Sequence, residues 1–111
     1  MTTSERGHSL TVRGVRLNPA ALTVTVDGHT TRLTGQEFRL LHTLMEQAGH
    51  ILSVDQLLSA AWDADTSADA GTLKVHVMRL RKKIERDPHV PSYIRTVRGL
   101  GYIFDRQPVQ A

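Results

Sequence analysis

Residues 74–86 hold Lys74, Arg79, Arg81, Lys82, Lys83 and Arg86, with Glu85 as the only acid among them. Like charges crowded on one element repel one another unless negative charge lies opposite. Read as a helix at about 100° per residue, Leu73, Val77, Leu80 and Ile84 cluster within about 60° and form a stripe to be buried. Val75, Met78, Arg79, Lys82 and Arg86 fall on the opposite side, with Lys74 and Arg81 on one flank and Thr72, His76 and Lys83 on the other. A solvated helix usually interleaves acids with its bases at i,i+4, and here Glu85 alone is placed to do so. The chemistry that fits is docking on a polyanion, and the major groove of duplex DNA admits an α-helix. A solvated basic face without a partner is the plain alternative.

The charge distribution supports the same reading. Residues 1–33 balance to +2, residues 34–70 to −5 and residues 71–106 to +6, within a net charge of +3. A basic C-terminal third beside an acidic middle points to a polyanion on one side of the domain. A second basic group, Arg95, Arg98 and Arg106, surrounds Gly99-Leu100-Gly101. Those glycines are not followed by a helix or by Lys-Ser/Thr, so a hairpin turn explains them better than a phosphate-cradling loop. An arginine at such a tip suits a narrow minor groove, where negative potential concentrates.

The elements that must position these groups are legible from the hydrophobic period. Leu10–Val12, Val15–Leu17, Leu22–Val26 and Thr30–Leu33 alternate with period two, punctuated by Gly14, Asn18-Pro19 and Asp27-Gly28. The period then changes. Thr34 with Glu37 is a capping box ahead of Phe38, Leu41, Leu44, Met45 and Ala48, closed by Gly49. Ser53 with Gln56 opens a second helix through Leu57, Leu58, Ala61 and Trp62, and Trp62 reads as a core anchor. A third helix is predicted over roughly 68–86, ending before Asp87-Pro88. Tyr93–Arg98 and Tyr102–Phe104 make a closing hairpin. The predicted fold is α+β: a winged helix-turn-helix with an N-terminal four-stranded antiparallel sheet, three helices and a C-terminal β-hairpin wing. One domain is expected over 10–105, with disordered extensions at 1–9 and 106–111.

Several function classes are excluded or unsupported. The 111 residues contain no cysteine, which removes disulfide scaffolds, thiolate metal sites and cysteine nucleophiles. No run of apolar residues exceeds three, so no segment spans a membrane as a helix. The first residues lack a signal peptide's apolar stretch, and a cytoplasmic setting is expected. No two of the histidines 8, 29, 42, 50, 76 and 89 fall at i,i+3 or i,i+4 on one helix, and Asp63, Asp65 and Asp69 lack an EF-hand's glycine and terminal Glu. No nucleophile elbow occurs. No metal, no cofactor and no enzymatic activity are expected. Five aromatic residues give little support for single-strand binding by stacking.

Leu33-Thr34-Gly35-Gln36-Glu37-Phe38-Arg39-Leu40-Leu41, Gly49–Ser53, Leu57-Leu58, Trp62, Val75–Ile84 and Ile94–Tyr102 together resemble the OmpR/PhoB-type winged-helix effector domain of bacterial response regulators. The likeness covers about residues 10–105, and its most specific part pairs HxxRLRKK with TVRGxGY. The resemblance implies a transcription factor's DNA-binding half. Lys74, Val75, Met78 and Arg79 would face bases in the major groove. Thr72, His76, Arg81, Lys82 and Thr96 would lie near phosphates, and Arg98 would enter the minor groove. The loop Asp63–Gly71 would correspond to the family's polymerase-contacting segment, and Asp63 and Asp65 are expected to meet a basic partner such as the sigma subunit. Asp69 is expected to cap the third helix. The implied partners are promoter DNA, as tandem half-sites, and RNA polymerase, with the domain monomeric off DNA.

Five positions depart from the family pattern. Gly71-Thr72-Leu73-Lys74 stands where Arg-Thr-Val-Asp is usual, exchanging an acceptor for a donor suited to guanine or phosphate. Val54 stands where an arginine is frequent, and Met78 replaces a commonly basic residue with one suited to a thymine methyl. The chain shows no receiver domain and is expected to be a piece of a longer regulator, a free-standing effector being the alternative. A second function class, a winged helix that docks on a protein such as polymerase through its acidic loop, is distinguished from the first by duplex binding.

Overall fold

The computed structural model describes residues 9–107. Its elements run β1 (Leu10–Val12), β2 (Val15–Asn18), β3 (Thr23–Val26), β4 (His29–Arg32), α1 (Gly35–Glu46), α2 (Val54–Ala61), α3 (Ala70–Ile84), β5 (Ile94–Val97) and β6 (Gly101–Phe104). β1 to β4 form an antiparallel sheet in chain order, and β5 and β6 pair as a separate hairpin. This is the expected α+β winged helix-turn-helix. The extensions expected at 1–9 and 106–111 lie outside the described residues except for Ser9, Arg106 and Gln107.

The turns explain the sheet's register. Asp27-Gly28 has φ 52° and 81°, and Arg13-Gly14 has φ 54° and 79°. Two successive positive φ values are what a two-residue type I′ hairpin requires. Leu22, expected as the first residue of the third strand, is instead left-handed at φ 54°, and the strand starts at Thr23. Asn18 Oδ1 accepts from the N–H groups of Ala20 and Ala21 and curls the chain there, while Leu22 C=O accepts from Leu33 N–H at 2.9 Å.

Both predicted capping boxes are present. Thr34 Oγ1 accepts from Glu37 N–H and the Glu37 carboxylate accepts from Thr34 N–H; Ser53 and Gln56 repeat the arrangement. Each box satisfies two of the four orphan N–H groups at a helix start. On α1 the buried face is Leu40, Leu41, Leu44 and Met45; Phe38, expected to begin it, is half-buried and stacks on His42. The third helix is shorter than the expected 68–86. Asp69 caps its start, and Glu85 leaves helical geometry at φ −82°, ψ 142°. Sequence spacing offered Glu85 as an i,i+4 partner for the helix's bases. The structure buries it instead, with its carboxylate accepting the N–H groups of Ser92, Tyr93 and Ile94.

One core joins the parts. Val15, Leu17, Val24 and Val26 of the sheet pack with Leu40, Leu41 and Leu44 of α1, Leu57 of α2, Leu73, Val77 and Leu80 of α3, and Ile94 and Phe104 of the hairpin. The buried α3 stripe is thus the one its period predicts. The hairpin also gains a third pairing, because Leu52 and Tyr102 exchange both backbone hydrogen bonds, at 2.8 and 2.9 Å. Gly101 permits that approach: a Cβ there would lie 1.9 Å from Leu52 O.

Candidate nucleic-acid interface

Burying Leu73, Val77, Leu80 and Ile84 forces the other side of α3 outward, and Lys74, Val75, Met78, Arg79 and Lys82 are all exposed. Val75 and Met78 keep 44% and 47% of their surface in solvent, an apolar pair set among cations. Thr72 and His76 flank this face half-buried. Asp69 Oδ1 accepts from the N–H of Thr72 at 3.0 Å and from its hydroxyl at 3.1 Å, and those two bonds hold the Asp69 carboxyl below its usual pKa. His76 Nδ1 lies 2.9 Å from Thr72 O, and its ring meets the buried Trp62 edge-on at 5.2 Å. Trp62 is therefore a core residue that also orients His76.

The wing presents its own cation. Leu100 N–H bonds Val97 C=O at 2.9 Å, and Gly99 takes φ 79°, so the tip is a tight turn with Arg98 exposed on it. Thr96 is exposed on β5 and its hydroxyl accepts from Arg81 Nη2 at 2.8 Å. A helix with an exposed, mixed cationic and apolar face, flanked by a hairpin bearing an arginine at its tip, is suited to hold a duplex by phosphates and base edges together.

Residues 28–104 match a family model described as transcriptional regulatory protein, C terminal. The chain belongs to this family, the OmpR/PhoB-type DNA-binding effector domains of response regulators. The family is one of transcription regulators and not of enzymes. The effector domain is 48% identical over 88 residues to the sensory transduction protein RegX3 of Mycobacterium tuberculosis, covering 79% of this chain and 39% of that protein. It is 42% identical over 93 residues to the alkaline phosphatase synthesis transcriptional regulatory protein SphR of Synechococcus elongatus, covering 84% of this chain and 36% of that protein. The chain thus spans under half the length of these curated relatives. Among solved structures it resembles the DNA-binding domain of Klebsiella pneumoniae RstA in complex with RstA box, at TM-score 0.77 and 27% identity, covering 89% of this chain and 98% of that one. It also resembles the response regulator DrrB of Thermotoga maritima, at TM-score 0.77 and 30% identity, covering 87% and 44% of the two chains. Among the described residues no helix is long and apolar enough to cross a membrane.

Within the effector domain, not every basic residue singled out by sequence is free. Arg81 is half-buried: Nε donates to Ile94 O at 3.0 Å as Nη2 donates to Thr96, and burial lowers its pKa against the opposing influence of Tyr102 and Glu85. Lys83 donates to Glu37 Oε1 at 2.6 Å and to Arg32 O at 3.0 Å. Burial alone would raise the Glu37 pKa, but the Lys83 ammonium and the Thr34 N–H outweigh it and leave the carboxyl below its usual value. On the wing, Arg95 is ion-paired with Asp105. The Arg106 stem lies against Gly49, where an added Cβ would fall 2.7 Å from Arg106 Cδ. In the acidic loop, Asp63 lies 3.4 Å from Arg39 Nη2 across the gap between the loop and α1, and Asp65 is exposed. The sequence reading missed Arg13, which reaches the base of the wing from the β1–β2 turn, and the structural task of Glu85. Glu85 left a trace as the sole acid at the end of a basic helix; Arg13 left none.

Proposed function

We propose that this effector domain binds duplex promoter DNA sequence-specifically, with α3 in the major groove and Arg98 in the adjacent minor groove. The observation that carries the reading is the outer face of α3. Lys74, Val75, Met78, Arg79 and Lys82 are exposed together, and among the described residues Lys74, Arg79, Lys82 and Arg98 have no hydrogen-bond or ion-pair partner. In this reading Lys74, Val75, Met78 and Arg79 meet base edges. Thr72, His76, Arg81, Lys82 and Thr96 lie along the phosphates, Arg81 doing so while braced on β5. The structural relative solved on the RstA box supports this mode.

The domain is monomeric off DNA and occupies tandem half-sites about one helical turn apart. Asp63 and Asp65 stay clear of the duplex, where carboxylates would repel phosphates, and meet a basic surface of RNA polymerase. The test is a mobility shift, at 50 and 200 mM salt, on duplexes selected from a random-sequence library by the chain itself. Four to six neutralised phosphates predict a loss of roughly 10²- to 10³-fold in affinity between those salts. A flat salt response, or failure to enrich any duplex, overturns the proposal. Sedimentation without DNA checks the monomer, and a stable dimer contradicts it.

A further inference from the structure

A hairpin of two four-residue strands does not hold its own orientation in water, so the pose of the wing against α3 is set by what grips it. Leu52 pairs with Tyr102 along β6, and Glu85 and Arg81 hold the start of β5 from α3. Gly49 N–H bonds Phe104 O at 2.8 Å, and Ile94 and Phe104 are buried in the core. A further grip comes from the opposite end of the sequence. Arg13 Nη1 donates to Ser92 O at 2.8 Å and to Asp105 O at 3.2 Å, and Nη2 donates to Ser92 Oγ at 2.9 Å. Its guanidinium carbon lies 4.5 Å from the centroid of the Tyr93 ring. Ser92 precedes β5 and Asp105 follows β6. The guanidinium therefore ties both chains of the hairpin together at its open end and stacks on the ring between them.

We propose that Arg13 is a positioning residue of the DNA interface, fixing the angle of the wing to α3; the proposal rests on the reading of Arg98 given above. Two further features support it. Arg13 sits at φ 54° in a type I′ turn, a position where asparagine or glycine is favoured and a longer side chain is strained. The turn by itself gives no reason for arginine, whereas the reach to Ser92 and Asp105 does. The second feature is leverage. Leu52 and Arg81 hold the wing at Tyr102 and Thr96, and Arg98 lies two residues beyond Thr96, so a tilt of about 10° about those points displaces the tip by roughly 1 Å. That exceeds what a hydrogen bond tolerates. The β1–β2 turn is consequently a place from which the wing can be loosened without touching either DNA-binding element.

The deciding variant is Arg13→Asn, which suits the left-handed turn and removes the reach. In the DNA-free chain, amide exchange at Arg95, Val97, Leu100 and Ile103 is expected to quicken, while exchange at Leu41 and Leu44 of α1 is unchanged. On a library-selected duplex, Arg13→Asn is expected to weaken binding about tenfold. In an Arg98→Ala background the same change is expected to do nothing more. Arg13→Lys, which keeps a charge over Tyr93 but cannot bridge both carbonyls, should fall between. Unaltered wing exchange overturns the proposal, as does a loss that persists undiminished with Arg98→Ala, since that would be general destabilisation. If Arg98→Ala itself leaves binding unaltered, the wing reading has failed and the exchange measurement alone decides the role of Arg13. Should Arg13→Asn not fold, Arg13→Lys carries the same comparisons.

Discussion

The outer face and the flanks of α3 carry the same residue types put to different uses. Lys74, Arg79 and Lys82 stand in solvent, whereas Arg81 and Lys83, interleaved with them in sequence, are half-buried and bonded to other elements of the protein. Arg81 braces β5, and Lys83 joins the last turn of α3 to the capping box that starts α1. Charge density on a helix is therefore not a count of phosphate contacts. Part of it builds the platform, and the rest is presented to the partner. The wing repeats the division: Arg95 is spent on Asp105 and Arg98 is free at the tip.

The largest effect expected from this division is on DNA affinity from the outer face. Arg79→Ala should cost about 1–3 kcal/mol on a selected site and relax preference at one base position, with thermal stability unchanged. Lys82→Ala should weaken all duplexes alike and lower the salt slope by about one. Equal, sequence-blind losses from both would mean that the base-facing side has been misplaced.

The flank that holds Lys83 should answer in stability instead. Lys83→Met leaves the Glu37 carboxylate, 3% exposed, without its cation, and should cost about 1–3 kcal/mol in urea unfolding with unchanged DNA affinity of the folded chain. A pH series sharpens the point. The folded Glu37 pKa lies below 4.5, so its contribution is complete above that value and is lost as pH falls through the lower folded pKa. Wild-type stability should decline in that acid window, and in Lys83→Met this part of the decline should shrink, the Thr34 hydrogen bonds to Glu37 remaining. Parallel acid limbs in the two proteins would contradict the assignment.

What could be read from sequence divides along the same line. The capping boxes, the α3 stripe and the Asp27-Gly28 turn are local, and their residue spacing is their geometry. Leu22 misleads because its turn is imposed partly by Leu33, eleven residues on. The exposed face of α3 follows from helical period alone, so Lys74, Val75, Met78, Arg79 and Lys82 were legible as candidates. The commitments of Lys83 to Glu37 and of Arg13 to Ser92 join residues 46 and 79 apart, and no spacing rule reaches that far. Sequence shows which groups carry charge; the tertiary fold decides which of them are left to use it.

The smallest effect on affinity, and the sharpest test of which surface faces what, comes from the acidic loop. Asp63 pairs with Arg39 at 3.4 Å with side chains 70% and 43% exposed, and an exposed pair of that kind contributes about 0–1 kcal/mol. Replacing Asp63 and Asp65 together by Asn should therefore leave the fold intact. If the loop points away from the duplex, the lost carboxylates lie beyond a Debye length of about 8 Å from most phosphates, and DNA affinity should hold or rise by less than about twofold. Transcription from a promoter bearing the selected site should fall, because a basic polymerase surface has lost its counter-charge. Asp65→Asn alone separates that loss from the release of Arg39, since Asp65 has no part in the Arg39 pair. Should DNA binding collapse in the double variant while transcription per bound site is maintained, the loop belongs to the DNA face, and the division between presented and committed charge must be redrawn to include it.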